Sequence, residues 1–112
     1  MAMSMFDERE KGYEGKWKRD EELRFKVTAR RNKLLGLWAA QKFGMEGSEA
    51  DAYAKTVVVA DFERPGDGDV VEKVLADFAK YDIEMTDHGL RKEMVRLMDE
   101  ASRQIEAKAA EG

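Results

Sequence analysis

The chain contains no cysteine, which removes disulfide frameworks and thiolate metal sites from consideration and fits a reducing compartment, so a cytoplasmic location is the default expectation. Histidine is nearly as scarce. His88 is the single one, beside Asp87, and with no second histidine or cysteine it has no partner for a zinc site or a catalytic dyad. It reads as a surface or capping residue. Proline occurs once, as Pro65 in Arg64-Pro65-Gly66-Asp67-Gly68, the strongest break in the sequence. No stretch approaches the ~20 apolar residues of a membrane span, and the opening residues lack the apolar segment of a secretion signal. A soluble protein without direct membrane insertion is expected.

What remains is a short, charge-rich polypeptide. Its 112 residues suit one domain, whose core buries somewhat under ~70% of the unfolded surface. The charge is unevenly placed: residues 1–33 carry ten Lys/Arg against seven Asp/Glu, and residues 34–112 carry ten against seventeen. A mildly basic front is therefore joined to an acidic body.

Residues 1–18 read as a mobile arm. Ser4-Met5-Phe6-Asp7 has the spacing of a helix start, and Asp7 and Lys11 stand four apart, an ion-pair spacing that adds a few tenths of a kcal/mol. Gly12 and Gly15, however, each cost about 1 kcal/mol inside a helix, and two turns fall below the ~12–15 residues an isolated helix needs. The free arm is expected to be mostly disordered. Phe6, Tyr13 and Trp17 nevertheless supply large apolar surfaces for which a solvated tail has no use. Either the arm orders against a partner, the favoured reading, or these rings fold back on the protein itself.

From Asp20 a helical period of about 100° per residue sets in, placing Val27, Leu34, Leu37 and Trp38 within about 60° of Leu23, with Leu35 on the flank. Arg30 and Gln41 fall inside that stripe and must snorkel outward or meet polar partners. Gly36 is costly mid-helix; either it admits a close helix crossing or it is merely tolerated. Gly44 and Gly47 end this helix, and Ser48 with Asp51 predicts the cap of a second, about 49–63, with Ala50, Tyr53, Ala54, Val57, Val58 and Phe62 on its apolar face. Val57 to Val59 favour a strand locally, but no second strand is available to pair. A third helix capped by Asp67 or Asp69 follows, burying Val70, Val71, Val74, Leu75, Phe78 and Ala79. Thr86 caps the last, whose stripe is Leu90, Met94, Leu97, Met98, Ala101 and Ile105. The fold class is all-α: a four-helix bundle over residues 19–112, with a long first helix and a flexible N-terminal arm.

Chemistry-bearing motifs are nearly absent, so no enzyme is expected. Asp67-Gly68-Asp69 begins like a calcium loop but lacks the third acidic ligand, the glycine at six and the glutamate at twelve. Gly12 to Trp17 contains a Gly-Lys step, yet a phosphate loop needs a longer spacer, a hydroxyl where Trp17 stands, and a preceding strand. Lys16, Trp17, Lys18, Arg19, Arg24, Phe25, Lys26, Arg30, Arg31 and Lys33 interleave cations with rings as a nucleic-acid surface does. The interspersed acids and the acidic body disfavour phosphate, so no nucleic acid is expected and a protein partner fits better.

The run Phe6-Asp7-Glu8-Arg9-Glu10-Lys11-Gly12-Tyr13-Glu14, then Lys16-Trp17, then Arg24 to Ala40, closely resembles the zeta subunit of the alpha-proteobacterial F-type ATP synthase, an ATPase-inhibitor family. The likeness is strongest over residues 4–44 and continues more loosely through Ala50 to Ala54, Val70 to Leu75 and the final helix. It implies a four-helix bundle whose N-terminal segment enters a catalytic interface of the synthase head, becomes helical there and blocks hydrolysis. Phe6, Tyr13 and Trp17 would anchor the arm, and Asp7, Arg9, Glu10, Lys11, Lys16 and Arg19 would set its polar register. The bundle would act as a stop and second contact. The resemblance further implies a protein monomeric when free and peripheral to the membrane through the synthase. It requires no cofactor and leaves open weak ATP or ADP binding.

Overall fold

The connections between helices are short, which forces consecutive helices to lie side by side. In the computed structural model they join α1 (Ala2–Lys42), α2 (Gly47–Glu63), α3 (Asp67–Lys80) and α4 (Asp87–Glu111), a helical bundle with no strand among the described residues. The backbone is described for residues 2–64 and 66–111, and the side chains for residues 21–64 and 66–109. α1 packs along both α2 and α4, while α3 closes the bundle against α2 and α4.

The turns between helices are set by backbone chemistry. After α1, the Met45 amide donates to the Ala40 carbonyl at 2.9 Å and the Gly44 amide to the Gln41 carbonyl at 3.1 Å, with Gly44 at φ 82°. This paired arrangement satisfies carbonyls that the helix end would orphan. α3 ends the same way: Ile83 donates to Phe78 at 2.9 Å and Asp82 to Ala79 at 3.1 Å, but here the left-handed residue is Asp82, at φ 58°. Thr86 caps α4 as its sequence predicts, its Oγ1 accepting from the Gly89 amide at 2.9 Å.

Two other caps differ from expectation. α2 starts at Gly47 after Glu46, and Ser48 makes no side-chain cap bond, because the helix begins one turn position early and places Ser48 within it. α3 is preceded by Gly66, again without a side-chain cap; the Asp67 carboxylate turns instead toward Arg31.

Leu35, Ala39, Val57, Val70, Val71, Val74, Phe78, Leu90, Met94 and Leu97 form the core, each large apolar side chain contributing roughly 1.5–3 kcal/mol. Phe43 plugs one end: it stacks on Tyr81 at 4.5 Å and meets Tyr53 and Phe78 edge-on at 5.3 and 4.9 Å. The stripes expected for α3 and α4 are largely those buried, although Ala79 is exposed.

α1 departs from its expected stripe. Its fully buried residues are Arg31, Asn32, Leu35, Gly36, Ala39 and Ala40, whereas Val27, Leu34, Leu37 and Trp38 are half-buried and Leu23 is exposed. The cause is close approach. α2 comes so near at Gly36 that a side chain there would strike the Ala54 backbone, and the buried face of α1 turns toward that contact. On α2, Phe62 is likewise exposed rather than in the core, because α1 and α2 leave a cleft open at that end.

Candidate partner-binding surface

The sequence assigns partner binding to Phe6, Asp7, Arg9, Glu10, Lys11, Tyr13, Lys16, Trp17 and Arg19. Their side chains lie outside the described residues, and α1 carries their backbone as the N-terminal part of a helix that continues into the bundle. The described side chains begin at Glu21, where α1 enters the bundle.

There α1 runs beside the C-terminal parts of α2 and α4, and the three bound an open groove of about 610 Å³. Its floor is apolar: Leu23, Phe25, Ala29, Val58, Ile105 and Ala109. Its polar lining is Lys26, Arg30, Lys33 and Lys108, with no carboxylate among the described residues. Among the described residues none of these cations has a carboxylate within ion-pair distance. Lys26, Arg30 and Lys33 recur at four- and three-residue intervals and so share one face of α1, a signal present in the sequence. Lys108 joins them only through the packing of α4.

Phe25 forms the ridge between this groove and a smaller cleft of about 250 Å³ between α1 and α2. Phe25 meets Phe62 edge-on at 5.3 Å, and the two rings remain 55% and 65% exposed. The cleft reaches Asn32, whose Oδ1 accepts from Arg31 Nε at 2.9 Å while its buried Nδ2 has no partner among the described residues.

Two polar clusters lie within the bundle itself. The Arg31 guanidinium, 2% exposed, donates from Nη2 to Asp67 at 2.8 Å and so ties α1 to the start of α3. Tyr53 donates its hydroxyl to Asp77 Oδ2 at 2.7 Å, and Lys73 donates to the same oxygen at 2.9 Å. Burial, followed by the hydrogen bond and the charge of Asp77, pushes the Tyr53 hydroxyl far above the ordinary tyrosine range. A phenol held protonated in this way acts as a strut, not as an acid or base near neutral pH.

His88 is exposed, and no group of His, Asp and Glu among the described residues is arranged to hold a metal ion. Asp67, which opens the calcium-like triplet, is engaged by Arg31. Among the described residues no helix is long and apolar enough to cross a membrane. The described side chains thus offer surfaces for recognition.

The model of the family described as ATPase inhibitor subunit zeta matches residues 3–104. A solution NMR structure is 44% identical to this chain, covering 77% of it and 98% of the solved chain, with a TM-score of 0.67. No curated protein matches the chain.

Proposed function

The chain belongs to the ATPase inhibitor subunit zeta family, and from that membership we propose that it restrains ATP hydrolysis by the F-type ATP synthase, using residues 1–18 as the inhibitory arm. It acts as a regulator and is not itself an ATPase. The observation that carries this reading is the reach of the family match, residues 3–104, which takes in nearly all of the arm together with the bundle.

The arm enters a catalytic interface of the synthase head as a helix and holds it against the conformational change that hydrolysis requires. Phe6, Tyr13 and Trp17 are its apolar anchors, and Asp7, Arg9, Glu10, Lys11, Lys16 and Arg19 fix its register through charge. The course of α1 supports the helical form, since a bundle helix already turning at Glu21 supplies the costly nucleus from which the arm can propagate. Gly12 and Gly15 each cost the helical arm about 1 kcal/mol, a cost offset by the surface covered in the crevice. The free protein is a monomer, and it reaches the membrane periphery only through the synthase.

Inhibition of ATP hydrolysis by purified synthase heads tests the proposal. Full-length protein at stoichiometric ratio is expected to slow hydrolysis, and deletion of residues 1–18 is expected to abolish the effect while circular dichroism shows the bundle's helices intact. Undiminished inhibition by the truncated chain would remove the arm from the mechanism.

A further inference from the structure

We propose that the groove at the base of the arm is a docking site for an acidic amphipathic helix of the synthase, whose carboxylates meet Lys26, Arg30, Lys33 and Lys108 and whose apolar face covers Leu23, Phe25 and Val58. The proposal rests on the reading of this chain as an inhibitor of that enzyme and names the surface by which the bundle, as distinct from the arm, engages it.

Charge complementarity selects the occupant. The four cations line one groove with no carboxylate among its described residues, on a body in which residues 34–112 carry seventeen acids against ten bases. Cations gathered against that excess form a local field that draws a negatively charged partner. The floor adds an apolar requirement, because Phe25, more than half exposed, gains from burial that a small hydrophilic anion cannot give it.

The chain itself is poorly matched to the groove. Residues 1–20 contain five acids and five bases and so carry no net charge toward it. A second copy in two-fold symmetry would set the same cations against each other. Nucleic acid would meet the groove but be repelled by the rest of the body. Position points to the synthase: Trp17 and Phe25 are eight residues apart, about 12 Å along a helix, so an arm seated in the enzyme holds the groove against the enzyme's surface.

Binding of the full chain to purified synthase heads, scored separately from inhibition, provides the test. Lys26→Glu/Lys33→Glu, at two exposed positions, is expected to raise the dissociation constant about tenfold at low salt and progressively less at high salt. Phe25→Ser is expected to raise it about threefold with little salt dependence, and Lys80→Glu/Lys92→Glu, outside the groove, to leave it unchanged. Each variant's melting curve reports its folding. A photoreactive phenylalanine analogue in place of Phe25 is expected to capture an acidic helical segment of the synthase.

Wild-type affinity in both groove variants, capture of residues 1–18 or of a second copy, or absence of any binding to synthase would overturn the proposal. If wild-type protein binds heads and the groove variants do not, while hydrolysis is unaffected throughout, the inhibitor reading falls and the docking site stands. Inhibition that persists with unchanged binding in the groove variants gives the reverse.

Discussion

Gly36 on α1 lies against Ala54 on α2 so closely that a Cβ on the glycine would stand 2.5 Å from the Ala54 Cα. The obstruction is backbone, which cannot swing aside as a flexible side chain does.

Gly36→Ala therefore sets two effects against each other. Alanine gains about 1 kcal/mol in helix propensity. Overpacking at a backbone contact costs about 1–3 kcal/mol or more, and the helices must part to relieve it. A net loss of about 1–2 kcal/mol is expected, seen as a lower urea midpoint with an unchanged slope. A more stable variant would contradict a backbone contact at this crossing.

The Arg31–Asp67 pair is asymmetric, with the guanidinium 2% exposed and the carboxylate 54% exposed. Removing the carboxylate leaves a buried charge without its counter-ion, and Asp67→Asn is expected to cost about 1–2 kcal/mol, reduced from the fully buried case by solvent around Asp67. Adding Arg31→Met should recover part of that loss. Thermal denaturation of the single and double variants distinguishes this from a simple loss of contacts, which would make the double variant worse.

Tyr53 should make stability fall at alkaline pH. Its folded-state pKa is raised, so its contribution is complete below the unfolded value of about 10 and is lost as pH climbs from there toward the folded value. Tyr53→Phe is expected to cost about 1 kcal/mol at neutral pH through the lost bond to Asp77. The gap between wild type and variant should then narrow above about pH 10. Urea unfolding of both proteins across that range measures it, and a gap that widened would contradict the sign.

Asp82 occupies the left-handed position after α3 that Gly44 fills after α1. Asp82→Gly is expected to stabilise the protein by about 0.5–1 kcal/mol by removing the steric cost of a Cβ at that φ. An increased melting temperature with unchanged helix content would support it.

Helix number, helix order and the breaks between helices were legible in the residues, because a 3.6-residue apolar period and Gly/Pro punctuation act over a few turns of chain. Leu90, Met94, Leu97 and Ala101 show this most clearly, each standing on the expected stripe and each buried. Two glycines among charges and three rings set residues 1–18 apart in the sequence, and these same residues carry the family resemblance. Side-chain size misled on α1: the large apolar residues predicted its stripe, yet Gly36, which sits where α2 approaches, is buried with Ala39 and Ala40, while Leu34 and Trp38 are half-buried.

Pattern along the chain specifies which face of a helix avoids water, because that choice depends on neighbours three and four residues away. It does not specify the rotation of that face toward a particular partner, which depends on how volumes from different helices interlock. Packing accordingly decided that Arg31 would reach Asp67, that Phe62 would stay outside the core, and that Lys108 would join Lys26, Arg30 and Lys33 around one groove.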